Sequence, residues 1–449
     1  MKLPLAPQAE TALGILQGAG YEAWIVGGCV RDLLLGRTPE DFDLCTAARP
    51  EEVKDVFAGH RIVETGLRHG TVTVLVEGMP LEITTYRVES GSADARHPDQ
   101  LRFTHSLRED AARRDFTVNA MAYAPGRGLQ DFYGGQGDLK KGLLRCVGEP
   151  DRRFQEDALR ILRALRFSAT LGFAIEGETL AAARRQKGLL VGLSAERVAG
   201  ELGKLLVGQG AKGVLLDYPD LLGVVLPELL PMVGLDQRNV HHCYDLLTHT
   251  AVAVDHTPPQ LALRLAALFH DCGKPACFSL GEDGQGHFYG HARESAALAE
   301  TALRRLRCPN KLRERVVKLI RYHDSPVEEK LLRRWLNRLG EEDFFALLAL
   351  QRADSLALAP AYRGRVEALD GIEAQARKLL QEAPCLTLRD LAVNGRDLMA
   401  LGLEGRAIGA ALDRLLTAVL VGSLANERAA LLQSLTDFDA RNTDKKEKK

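Results

Sequence analysis

Along residues 1–145 the spacing of apolar positions changes repeatedly. An amphipathic opening stretch predicts a helix, and the apolar run Ala23-Trp24-Ile25-Val26, cut off by Gly27-Gly28, predicts a buried strand. Alternation with Thr and Val returns in GTVTVLV (70–76) and LEITTYRV (81–88). Gly78-Met79-Pro80 between them predicts a turn joining two antiparallel strands. Beyond about residue 150 strand signals nearly vanish. FQEDALRILRALRFSATLGF (154–173) and most later segments carry apolar residues at helical spacing. GEDGQGHFYGH (281–291) reads as a loop, and LTLRDLAVNGRDLMALG (386–402) as short helices punctuated by glycine. The final NTDKKEKK has nothing to bury, so residues 441–449 are expected to be disordered. No internal repeat is visible.

These patterns predict an α+β chain: a head of mixed sheet and helices over 1–145, then an all-helical body. The body divides into a neck (146–232), a histidine-rich domain (233–360) and a tail (361–440). A length of 449 residues exceeds one ordinary core and supports several domains. Charged residues make up 27% but sum to a net charge of −1, so only local clusters can indicate nucleic-acid binding. Eight cysteines without a CxxC pair read as isolated thiols in a reducing compartment. The N-terminus lacks the apolar core of a signal peptide, and no uncharged run approaches about 18 residues. A cytoplasmic protein with no membrane segment is the expectation.

The densest chemistry lies in IVGGCVRDLLLGRTPEDFDLCT (25–46). Backbone N–H groups at a glycine turn that opens a helix suit a triphosphate, and Arg31 adds a fork of donors. In an extended Asp41-Phe42-Asp43, residues two apart face the same way, so both carboxylates converge while Phe42 turns to the core. Two such charges call for cations between them, and a Mg2+ pair about 4 Å apart would serve an in-line phosphoryl displacement. A lone GG or DxD is common in turns and strand edges; the two a dozen residues apart are more specific.

This string resembles the first motif of polymerase-β-like nucleotidyltransferases, in the variant shared by class II tRNA nucleotidyltransferases and bacterial poly(A) polymerases. The resemblance implies that Asp41 and Asp43 hold the metals and that Gly28 and Arg31 contact the nucleotide. REDAARRDFTVNAMAY (108–123) is similar to the family's RRDFTxNA motif, which makes Arg114 a nucleotide contact and Asp115 an orienting group. RFQEDALRILRALRF (153–167) resembles EDxxR, with Asp157, Arg160, Arg163 and Arg166 expected as a ladder on one helix face. There Asp157 and Arg160 would pair with the base of CTP or ATP, and Arg163 and Arg166 would contact the nucleotide or support it. The polar loop GSADARHPDQLRF (91–103) resembles the one CCA-adding members use to switch from cytosine to adenine. LSAERVAGELGKLL (193–206) matches a helical supporting segment.

Eight of the twelve histidines fall between 241 and 323. Any single one is more often a satisfied core residue than a ligand. The His270-Asp271 doublet among the others resembles the HD phosphohydrolase superfamily. That implies a divalent-metal site from His249, His270, Asp271, His291, His323 and Asp354, with Asp324 the alternative for the last place. Basic clusters at Arg184-Arg185, 304–321 and 330–338 could neutralise tRNA phosphates, although a single cluster is more often a solvated helix face and the acidic neighbours here strengthen that reading. The family reading gives CCA addition to tRNA. CC-only or A-only addition, a poly(A) polymerase, an HD-type phosphohydrolase and a non-catalytic tRNA-binding protein are the alternatives.

Overall fold

In the computed structural model, which describes residues 2–64, 66–88, 102–382 and 385–436, the chain forms two units, Met1–Pro227 and Glu228–Lys449. The first unit is built on a sheet whose strands are β1 (Ala23–Val26), β2 (Asp43–Thr46), β3 (Arg61–Val63), β4 (Thr71–Val76) and β5 (Met79–Thr85). After the small pair β6 (Arg87–Val88) and β7 (Arg102–Phe103), the sheet is completed by β8 (Ala122–Ala124) and β9 (Gly128–Gln130). Its order is β3-β4-β5-β2-β1-β8-β9, with β2 and β5 parallel and the other neighbours antiparallel. β1 is buried at all four positions, as an apolar run without alternation requires. β4 alternates half-buried Thr or Leu with buried Val, the mark of a strand with one covered face.

Helices α1 (Pro7–Gly18), α2 (Gly28–Leu34), α3 (Pro50–Val56), α4 (Leu107–Ala112) and α5 (Gly135–Lys141) belong to this sheet-containing part. The turn between β4 and β5 is tighter than the sequence suggests. Val76 pairs with Met79, so Glu77-Gly78 form the loop, both with positive φ (47° and 84°). Such a two-residue loop matches the twist of its strands, and Pro80 consequently sits inside β5 opposite Leu75.

Helices then follow without interruption except for a two-residue parallel pair, β10 (Leu143–Leu144) with β11 (Ala174–Ile175). They are α6 (Pro150–Glu156), α7 (Leu159–Leu171), α8 (Gly177–Gln186), α9 (Ala195–Val207), α10 (Ala211–Asp217) and α11 (Pro219–Val225). One correction concerns α6 and α7. The continuous helical pattern from Arg153 to Phe167 is broken at Asp157, whose backbone is extended (φ −153°, ψ 102°). Local propensity favours helix throughout, so the break is a tertiary outcome, and the ladder expected from Asp157 to Arg166 begins only at Arg160.

The second unit is helical: α12 (Leu246–His256), α13 (Leu261–Phe269), α14 (Lys274–Cys277), α15 (His291–Arg305), α16 (Asn310–Tyr322), α17 (Leu332–Leu339), α18 (Glu341–Leu356), α19 (Arg365–Gln381), α20 (Gly395–Ala400) and α21 (Arg406–Leu420). Asp245 caps α12 by accepting the Thr248 N–H at 2.7 Å. The stretch read as a loop supplies β13 (Gly286–His287), which pairs with β12 (Ser279–Leu280) just before it in a small hairpin. No helix among the described residues is long and apolar enough to cross a membrane. Most of the 91–103 loop and the 441–449 tail lie outside the described residues.

Candidate active site

β1 is followed by Gly27, whose φ of 82° and ψ of −138° are open only to glycine. A Cβ there would stand 2.9 Å from Arg114 Nη1 and 3.8 Å from Asp43 Oδ2, so the bare backbone makes room for two functional side chains. Asp43 opens β2, in register with Val26 on one side and Glu82 of β5 on the other. Burial, then the charges of Asp41 and Glu82, push its carboxyl up to about 6 against the pull of Arg114. Phe42 is buried, as expected of the residue between two outward carboxylates. Asp41 itself is exposed and acts on Asp43 through its charge.

Gly28, Arg31, Asp43, Arg114, Asp157, Arg160, Arg163 and Arg166 line one cavity of about 400 Å³. Arg113, Asp115, Asn119, Phe167 and Arg197 complete much of its wall. The concentration of guanidinium groups suits a polyphosphate. Each arginine is held. Arg31 donates to both oxygens of Asp32 at 2.9 Å and to Asn119 Oδ1 at 2.7 Å, and its guanidinium lies 5.1 Å from the centre of the Phe167 ring. Arg114 pairs with the buried Asp110 at 3.5 Å. Arg163 meets Asp115 at 2.8 and 2.5 Å, and Arg166 meets Glu201 of α9 at 2.6 Å.

Asp115 forms the centre of this scaffold. It also accepts from the Phe116 N–H at 2.8 Å and from Asn119 at 3.1 Å. Burial works against its charge, yet Arg163 and these hydrogen bonds hold its carboxyl below the usual range.

Asp157 and Arg160 share the cavity, and the Arg160 N–H donates to the Asp157 carbonyl at 3.0 Å. Asp157 accepts from the Leu159 N–H at 3.1 Å and from Arg197 of α9 at 2.7 Å. Arg160 is buried and gives its donors to Glu156 (2.9 Å) and to the carbonyls of Arg153 and Arg113 (both 3.0 Å). Those two carbonyl contacts tie α7 to α6 and to a residue 47 positions away. Arg197, Glu201, Asn119 and Glu82 were not predicted as site residues. The first two lie in the supporting segment noted in the sequence, but their partners are 35 to 40 residues distant.

The second unit gathers all six predicted histidine and aspartate ligands. His249 Nε2 lies 3.0 Å from Asp354 Oδ1 and 3.4 Å from Asp271 Oδ2, and His270 Nε2 lies 3.2 Å from Asp271 Oδ2. On the other side of Asp271, Oδ1 is 3.4 Å from His291 Nε2 and 3.6 Å from His323 Nε2. Asp354, not Asp324, occupies the last place in this cluster. The four Nδ1 atoms approach backbone carbonyls: Ala357 (3.3 Å), Ala267 (2.7 Å), Phe288 (2.9 Å) and Ile320 (2.7 Å). A proton on Nδ1 satisfies each carbonyl and leaves Nε2 facing inward, the arrangement a metal needs once Nε2 is unprotonated. Against the pull of burial, Asp271 and Asp354 push His270 up to about 10, so a proton competes with a cation there. Lys274, 2.7 Å from Asp271 Oδ2, adds another balancing charge.

The first unit's sheet, glycine turn and arginine-lined cavity holding Asp43 are those of a nucleotidyltransferase, and residues 23–145 match the model of the Poly A polymerase head domain. Residues 172–232 match the probable RNA and SrmB-binding site of polymerase A, and residues 290–435 match a putative tRNA nucleotidyltransferase domain 2. The CCA-adding enzyme of Limosilactobacillus fermentum is 34% identical over 95% of both chains. That of Levilactobacillus brevis is 36% identical over 96% of this chain and 97% of its own. The crystal structure of the Bacillus stearothermophilus CCA-adding enzyme in complex with CTP superposes with a TM-score of 0.73 and 28% identity, covering 98% of this chain and all (100%) of that one. The chain belongs to the CCA-adding enzymes and is a tRNA nucleotidyltransferase.

Proposed function

We propose that the chain adds C, C and A to the 3′ end of tRNA from CTP and ATP without a nucleic-acid template, releasing pyrophosphate. The observation that carries this reading is a single cavity in which Asp43, a wall of arginines and Asp157 meet. The carboxyl of Asp43, raised by burial and by its acidic neighbours, fits a cation-binding group. Asp41 and Asp43 would hold Mg2+, which when bound activates the terminal ribose hydroxyl and neutralises the leaving pyrophosphate. Gly28 N–H, Arg31, Arg114 and Arg163 orient the triphosphate. Asp157 offers an acceptor, held by Arg197, to the exocyclic amine that cytosine and adenine share. Arg160 and Arg166 fix the wall behind it.

Eight free cysteines, most of them buried, support a cytoplasmic setting. The test supplies CTP and ATP separately to tRNAs ending before C, CC or CCA. Stepwise incorporation of two C and one A is expected. Incorporation of C alone, A alone or an A tract would replace this reading with a CC-adding enzyme, an A-adding enzyme or a poly(A) polymerase, and persistence in Asp41→Ala/Asp43→Ala would refute the site.

A second reading concerns the other unit. Four inward Nε2 atoms around the buried Asp271 and the half-buried Asp354 fit a divalent metal, and the cavity above them is open to a phosphoester. We infer a metal-dependent phosphohydrolase held by His249, His270, Asp271, His291, His323 and Asp354.

A further inference from the structure

Arg114 stands between two acids. On one side is Asp110 of α4, fully buried, whose Oδ2 lies 3.5 Å from Arg114 Nη2. On the other, across the bare backbone of Gly27, is Asp43. Its Oδ2 and Arg114 Nη1 both fall within 4 Å of where a Gly27 Cβ would be. Among the described residues, Asp110 is the acid that forms an ion pair with Arg114. The two oxygens of Asp110 are divided. Oδ1 accepts from Arg113 Nε at 2.9 Å and from the Arg87 N–H at 3.3 Å, and lies 2.8 Å from Arg113 Nη2. Oδ2 is left for Arg114. The backbone that carries both arginines is fixed from elsewhere: the Ala112 carbonyl accepts from Arg153 at 3.1 Å and the Arg113 carbonyl from Arg160 at 3.0 Å. With the backbone held, the direction of the Arg114 head is left to the Asp110 charge.

Burial disfavours the Arg114 charge, and Asp110 is foremost among the acids that sustain it, ahead of Asp43 and Asp115. Asp115 is already taken by Arg163 at 2.8 and 2.5 Å. Once the Asp110 charge is gone, Asp43 is therefore the acid open to Arg114. Opposite charges away from water attract strongly, so a guanidinium that swung onto Asp43 would be withdrawn from the cavity. We propose that Asp110 is a positioning residue for nucleotidyl transfer, which holds Arg114 off Asp43 and so keeps the guanidinium free for the triphosphate. The proposal rests on the reading of Arg114 as a nucleotide contact, and adds to it a buried residue that acts only through that arginine.

The experiment measures binding of labelled CTP to the full chain by equilibrium dialysis in EDTA, so that no cation contributes. Asp110→Asn is introduced into the wild type and into Asp43→Asn. In the wild type it is expected to raise the Kd roughly five-fold; in Asp43→Asn, where the rival acid is gone, the rise should be less than about two-fold. Asp110→Glu, which retains the charge, is expected to stay within about two-fold of the wild type. A residue that only supports the fold would give the same loss in both backgrounds. Should Asp110→Asn not fold, the same comparison is made on Asp110→Asn/Arg113→Met against Arg113→Met, which strands one arginine fewer. An unchanged Kd in Asp110→Asn, or an equal rise in the two backgrounds, overturns the positioning proposal. Arg114→Met separates this from the underlying reading: weaker CTP binding keeps Arg114 as a nucleotide contact, and unchanged binding overturns both.

Discussion

Asp115→Asn keeps the shape of the side chain and removes its charge. The carboxylate is 8% exposed and meets Arg163 at 2.8 and 2.5 Å, while the Arg163 side chain is 33% exposed. Removing one member of a fully buried pair costs about 3–5 kcal/mol. Water reaches Arg163, so its stranded charge is partly screened and a cost of about 2 kcal/mol is expected. For a unit of 227 residues, that lowers the melting temperature by roughly 4–8 °C. The pH dependence has a definite sign. The folded carboxyl titrates below its unfolded value of about 3.9, so its stabilisation is fully present above that value and disappears as pH falls through the folded pKa. The gap between wild type and Asp115→Asn therefore narrows in acid. Thermal melts of wild type, Asp115→Asn, Arg163→Met and the double variant, taken between pH 7 and pH 3, measure both effects. A coupling below about 0.5 kcal/mol, or a gap independent of pH, refutes the view that this pair anchors the wall.

Gly27→Ala forces a φ of 82° on a residue with a Cβ and pushes that carbon toward Arg114, so a loss of about 1–3 kcal/mol in urea unfolding and a raised KM for CTP are expected. Protons compete with cations at Asp43, whose carboxyl lies at about 6; the Mg2+ concentration for half-maximal CTP incorporation should rise as pH falls through that value, and a flat Mg2+ requirement between pH 7.5 and 5.5 would exclude Asp43 as a ligand. Asp271→Asn, which weakens the carboxylate shared by both halves of the histidine cluster, should lower the metal content measured by mass spectrometry. An unchanged content would remove Asp271 from the ligand set.

The elements that carry chemistry were legible where local rules decide them. Val26 stops at Gly27 because the next residue must open a helix, and Phe42 is buried because neighbours in a strand alternate. The pairings between distant residues were not legible. Arg163 finds Asp115 across 48 positions, and Arg197 finds Asp157 across 40. Glu82 reaches Asp43 only through the parallel register of β2 and β5, which neither strand encodes alone. The break at Asp157 was invisible because every residue from Glu156 to Arg163 tolerates a helix. Arg160, just beyond the break, donates to the Arg113 carbonyl 47 residues away, a contact that no local rule foretells. In the second unit the sequence order of the histidines left Asp324 and Asp354 equivalent, and only the packing of α18 beside α12 separates them.

Three of the four cluster histidines place Nδ1 on the carbonyl three residues earlier, namely Ala267 for His270, Phe288 for His291 and Ile320 for His323. Each ring is thus held by the adjacent turn of backbone as well as by its neighbours in the cluster. Small domains that fold only around a metal collapse when a chelator removes it. This unit should instead behave like a socket: EDTA would empty it without unfolding it, and metals could exchange on the time of diffusion and ligand dissociation, with no refolding step between occupants.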